Sequence, residues 1–164
     1  MEDGAEVTIR PIRPTDEAAM VRFHERLSER TVYLRYFHMM NLNSRISHQR
    51  LARICSIDDE AEAALVVERA HEIHAVGRLT QASDGKEAEF ALLIADPYQG
   101  HSVGKELLRR LIEIARVAKL ARITAEILPE NDHMIHVCRE LGFKLVHSVE
   151  EHLVKAELVL DPDL

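Results

Sequence analysis

Two stretches of this sequence bring together residue types at a spacing that chemistry can use. In the first, Gln99-Gly100-His101-Ser102-Val103-Gly104 joins an apolar run to the start of an amphipathic helical pattern. A helix start leaves its first backbone N–H groups without partners and carries the positive end of the helix dipole, so such a turn aims several donors at one point. A phosphate suits that point. Gly100 and Gly104 permit close backbone approach, and the ligand charge is met by amides and not by a lysine. Neither the lysine-bearing G-x-x-x-x-G-K-[ST] loop nor a complete G-x-G-x-x-G fingerprint after an N-terminal strand is present. In the second stretch, Glu89 is the only carboxylate of the otherwise apolar run Ala88 to Ala95. Partial desolvation there makes a carboxylate a general base, whereas a place near a hairpin end beside Lys86 and Glu87 leaves it solvated. Both readings stand on the residues alone.

Three weaker signals accompany these. Glu126 is a second carboxylate in a later apolar run and ranks below Glu89, since it also suits a partner for an arginine. Cys138 follows Met134 at helical spacing and reads as a small core residue. Among ten histidines, His133 with His136 and His71 with His74 form pairs, but neither has a third ligand at a diagnostic distance, so no metal is expected.

The elements that must position these residues follow from hydrophobic periodicity. Val7 to Arg10 is a short β run, and Pro11 and Pro14 separate it from a helix with Met20, Phe23 and Leu27 as its apolar stripe. Ser28 caps a second helix containing Val32, Tyr33, Tyr36 and Phe37, and Ser47 caps another with Leu51, Ile54 and Cys55. From Ala63 the pattern turns to strands: Ala63–Val67, Ile73–Leu79 and Ala88–Ala95, with Asp84-Gly85 as a hairpin turn between the last two. A helix follows with Val103, Leu107, Leu111 and Ile114 on its buried face, then a strand from Arg122 to Leu128. Asn131 caps a helix ending near Gly142, and Phe143–Val149 and Leu153–Leu160 are the last strands. The order β, helices, β-β-β, α, β, α, β-β predicts one mixed α/β domain over 1–164.

Composition narrows the function classes. Lys and Arg total 21 against 28 Asp and Glu, a formal charge of -7 that repels nucleic-acid phosphates and anionic lipid, so neither nucleic acid nor membrane is an expected partner. Two cysteines make no disulfide framework, and the acidic start lacks the basic and apolar regions of a signal peptide. A cytoplasmic protein is expected.

The order of elements, with Gln99-x-x-Ser102-x-Gly104 after the fourth strand and Asn131-x-x-Met134 through Leu141-Gly142-Phe143 before the sixth, resembles the GNAT N-acetyltransferase family. The family's [QR]-x-x-G-x-[GA] motif is matched except that Ser102 replaces its first glycine. Ser28 to Phe37, Ala88 to Ala91 and Ala125 to Asn131 further resemble the catalytic domain of bacterial Pat-type protein lysine acetyltransferases.

The resemblance implies a mostly antiparallel sheet of about seven strands with helices on both faces, and acetyl-CoA as cosubstrate. It implies that the backbone of Leu92 and Ile94 pairs with the pantetheine arm. The amides of Gln99, Gly100, His101, Ser102, Val103 and Gly104 would hold the pyrophosphate, with Asn131 near the pantetheine. Glu89 becomes the general base, and Cys138 stands where many members place a tyrosine acid. The expected acceptor is a protein lysine; a small-molecule amine, or a non-catalytic acyl-CoA-binding module, is the alternative. The sequence does not decide whether the protein acts as a homodimer.

Overall fold

The computed structural model describes residues 6–57, 61–100 and 102–160. Strand β1 (Thr8–Pro11) leads through a 3-10 turn into helices α1 (Glu17–Glu25), α2 (Glu29–Tyr36), α3 (Leu42–Arg45) and α4 (His48–Cys55). Strands β2 (Glu62–Arg69), β3 (Glu72–Gln81) and β4 (Glu87–Ile94) follow as a meander. Helix α5 (Val103–Val117), strand β5 (Arg122–Ile127), helix α6 (Asp132–Glu140) and strands β6 (Lys144–Ser148) and β7 (Leu153–Val159) complete the fold.

All seven strands form one sheet in the order β1-β2-β3-β4-β5-β7-β6, antiparallel except where β4 meets β5. Strand and helix expectations hold to within a residue or two at most ends. Leu27 falls beyond α1, and α3, capped by Asn41, has no counterpart in the sequence reading. The Asp84-Gly85 hairpin forms, with Asp84 Oδ1 accepting from the Lys86 amide at 2.9 Å.

Period-two alternation sends the two sets of β-strand side chains into separate cores. One holds Leu92, Ile94, Ile123 and Ala125 under α5 and α6. The other holds Val66, Val76 and Leu93 under α1 and α4. Leu107, Leu108 and Leu111 of α5 are each 0% exposed, and burying each stabilises by about 2 kcal/mol. That packing fixes the start of α5 beside the end of β4, where the candidate site lies.

Candidate functional site

The ladder between β4 and β5 has only three register pairs, Glu87 with Arg122, Ala88 with Ile123 and Glu89 with Thr124. Beyond them β4 continues to Ile94 along β3, and β5 continues to Ile127 along β7, so the two strands part and leave a wedge. A residue in an antiparallel ladder directs its N–H and C=O to the same neighbour, alternating along the strand. The amide of Ala82 donates to Glu87 O at 2.8 Å, and that of Ala95 to His74 O at 2.9 Å. Odd-numbered residues of β4 therefore face β3, and Leu92 and Ile94 turn their backbone polar groups toward the wedge. One of these groups is engaged: Ile94 O accepts from Gln99 Nε2 at 2.9 Å.

The turn into α5 closes the wide end of the wedge. Gly100 has φ 81°, and Ser102, the N-cap of α5, sits in the left-handed region at φ 69° with no side-chain cap bond. The first helical bond described runs from the Glu106 amide to Ser102 O at 3.0 Å, so the amides of Val103, Gly104 and Lys105 precede the helical ladder. A Cβ at Gly104 would lie 2.8 Å from Ile94 Cδ1 and 3.7 Å from His133 Nε2. Glycine keeps that junction open. His133 Nε2 is buried without a hydrogen-bond partner among the described residues. Burial, then the charge of His136, lowers the His133 imidazole from its ordinary value, which keeps it neutral at pH 7. Asn131 caps α6 by accepting from the Met134 amide at 3.3 Å.

Gln99 departs from expectation. Its amide already donates to Asp96 O at 3.2 Å, which removes it from the set of free donors. Its side chain is a strut instead, donating to Thr31 Oγ1 and Ile94 O, both at 2.9 Å. Asp96 extends this brace, accepting from Ser28 Oγ at 2.6 Å and Thr31 Oγ1 at 3.1 Å. Partial burial pushes the Asp96 carboxyl up, but these bonds outweigh it and hold the group below its ordinary value. His101 lies outside the described residues.

The fold that places this wedge beside the start of α5 recurs in known proteins. The acetyltransferase (GNAT) domain model matches residues 6–144. The chain belongs to the GNAT acetyltransferase family. Acetyltransferase PA5475 of Pseudomonas aeruginosa is 31% identical over 147 residues, covering 87% of this chain and 77% of that protein. The GNAT domain of S. lividans PAT superposes with a TM-score of 0.86 at 30% identity, covering 96% of this chain and 93% of that one. The putative acetyltransferase yncA of Salmonella typhimurium, solved with its cofactor acetyl-CoA, has a TM-score of 0.70 at 20% identity over 96% and 95% of the two chains. The chain is thus an acetyl-CoA-dependent acetyltransferase of mixed α/β fold.

In this acetyltransferase a cleft of about 270 Å³ runs from α2 across the β4–β5 wedge to the start of α6. Arg35, Tyr36 and Phe37 form one wall, and Glu89 and Glu126 stand at the strands. Register explains why the carboxylates share a face: Glu89 pairs with Thr124, and Glu126 lies two residues farther along β5. Both are exposed. Of the two readings of Glu89 the solvated one therefore holds, because its strand position lies beyond the helices that bury Leu93 on the same face. Cys138 is 0% exposed, and burial pushes its thiol up to about 12, so it is a core residue of the GNAT domain. Among the described residues, no three of His, Cys, Asp and Glu gather as metal ligands.

Thr31, Arg35 and His133 line the cleft although residue patterns gave them no role. For Thr31 a signal existed, its place three residues after the Ser28 cap. For Arg35 and His133 none did, since both depend on how helices dock against the sheet.

Proposed function

We propose that this acetyltransferase delivers the acetyl group of acetyl-CoA to a protein lysine by direct attack, with Glu89 as general base. The observation that carries the reading is the parting of β4 from β5 immediately after Glu89. It leaves Leu92 and Ile94 with backbone donors turned into the gap, and Glu89 open to the acceptor face at its apex.

The residues present suit a ligand with a pantetheine arm and a pyrophosphate. Leu92 and the Ile94 amide offer strand-edge groups to the amides of the arm, while Gln99 occupies Ile94 O. The free amides of Val103 and Gly104, with those of Gly100 and Ser102, surround the helix start where a diphosphate is favoured. The orphaned His133 Nε2 beside Gly104 is a further polar group awaiting a partner. Acetyl-CoA supplies the thioester carbonyl that the amine attacks. Glu89 accepts the ammonium proton, directly or through water, which its exposure allows. The Leu92 amide, turned into the gap, would stabilise charge developing on the carbonyl oxygen, and the CoA thiolate would leave to be protonated by water. Asn131 holds the start of α6 against the arm.

A protein acceptor suits the cleft, whose wall residue Phe37 is 37% exposed. The resemblance of Ser28 to Phe37 to Pat-type lysine acetyltransferases supports the same acceptor.

Glu89→Gln tests the base. Turnover with lysine substrates should fall by roughly 10²- to 10⁴-fold, while calorimetry with acetyl-CoA gives an unchanged Kd. A variant that keeps the wild-type rate would remove Glu89 from the chemistry.

A further inference from the structure

One cation that lines the cleft, Arg35, belongs to a group of arginines although the chain carries a formal charge of -7. Arg35 of α2 is repelled by Arg50 of α4 and Arg78 of β3, and Arg50 in turn acts on Arg45 at the end of α3. Three of these guanidinium groups are engaged inside the protein. Arg45 donates to Met40 O at 3.0 Å and His24 O at 3.1 Å. Arg50 donates to Arg45 O at 2.9 Å and Tyr36 Oη at 3.0 Å. Arg78 donates to Ile54 O at 3.0 Å and pairs with Glu62 at 3.2 Å.

Arg35 differs. Its guanidinium lies 4.8 Å from the centre of the Tyr36 ring and makes neither a hydrogen bond nor an ion pair among the described residues. It is half-buried, lines the cleft and faces the same space as Glu89 without closing on it. Burial lowers the Arg35 cation from its ordinary value, and repulsion from Arg50 and Arg78 adds to this, against the attraction of Tyr36 and Glu89. A partly desolvated guanidinium with an unused donor fork, crowded by like charges, is a site that an anionic oxygen pair relieves.

We propose that Arg35 and Glu89 form a two-pole acceptor subsite, in which the Arg35 fork takes a carboxylate carried by the acceptor while Glu89 receives its amine. This rests on the reading of the cleft as an amine acetylation site and deepens it: the acceptor carries both charges. One unengaged guanidinium matches one planar carboxylate in charge and shape. Two sources share that chemistry, an Asp or Glu neighbouring the target lysine in a protein, and the α-carboxylate of a free amino acid.

The test varies the acceptor first, so that it does not depend on a variant folding. Lysine peptides with Glu neighbours are compared with the same peptides carrying Gln, and free lysine is compared with lysine amide, by CoA release. Wild type should prefer one carboxylate-bearing member by roughly 10- to 100-fold in kcat/KM, the scale of a charged hydrogen-bonded pair. Arg35→Gln should erase the preference, and Arg35→Lys should keep part of it, both with acetyl-CoA affinity unchanged. The pair that responds identifies the source. Binding of the acetylated peptides to CoA-loaded protein is read separately by calorimetry and should show the same Arg35-dependent advantage for Glu. Equal turnover and equal binding of the Glu and Gln peptides, together with equal turnover of lysine and lysine amide, overturn the subsite while leaving acetyl transfer intact. Arg35-dependent binding without turnover on any amine overturns the transferase reading and keeps the subsite.

Discussion

Two helix starts flank the wedge, and they are built in opposite ways. At α6, Asn131 folds its side chain back onto the Met134 amide, as Ser28, Asn41 and Ser47 do at α2, α3 and α4. At α5 a serine again occupies the cap position, yet its hydroxyl makes no cap bond and its backbone takes a left-handed conformation. A non-glycine residue in that conformation costs about 1–2 kcal/mol. The same residue type that completes one helix leaves the other open. The difference teaches that an uncapped start is a property of the turn's geometry, and that its amides remain available for a ligand that the capped starts do not need.

Substitutions break this contrast to different extents. Gly104→Glu places a charged side chain where a Cβ already meets Ile94 and His133; acetyl-CoA Kd should rise at least about 100-fold, read by calorimetry. Retained binding would remove the α5 start from the cofactor site. Ser28→Ala removes both a cap and a donor to Asp96 and should lower unfolding free energy by about 1–2 kcal/mol. Asn131→Ala should cost about 1 kcal/mol, or a few degrees in Tm. Ser102→Ala, by contrast, should stay within about 0.5 kcal/mol of wild type, because no cap is lost. A loss at Ser102 equal to that at Asn131 would mean the two starts are capped alike.

The smallest effect lies in acid. Asp96 has its folded value below the ordinary 3.8, so its contribution is complete above that pH and is lost as pH falls through the folded value. Urea unfolding should show Asp96→Asn less stable than wild type near pH 6, with the gap narrowing toward about pH 3.

Local pattern made the seven strands, the hairpin and three of the four side-chain caps legible, because each rests on a few adjacent residues. The serine at 102 was also visible as a departure. That it adopts the positive φ for which glycine is usual follows only from the turn's three-dimensional path. The parting of β4 and β5 was not visible in the residues, since parallel register is set by how far the strands are carried apart by α5 and β7. Glu89 was found as a lone carboxylate, but its environment stayed open between desolvated and solvated: alternation gives the face of a strand, not whether a helix covers it. Gln99 was read as a phosphate contact from motif position, while one of its side-chain partners, Thr31, lies in α2, 68 residues away in sequence.

The strut made by Asp96, Thr31 and Gln99 ties the phosphate-side turn to the helix that carries Arg35 one turn beyond Thr31. On the proposed reading the two substrates are held by parts that these hydrogen bonds tie together. Loading of the first bears on the purchase available to the second, and by thermodynamic reciprocity the second must bear equally on the first. Cutting the tether at Thr31 would let each ligand bind as though the other were absent.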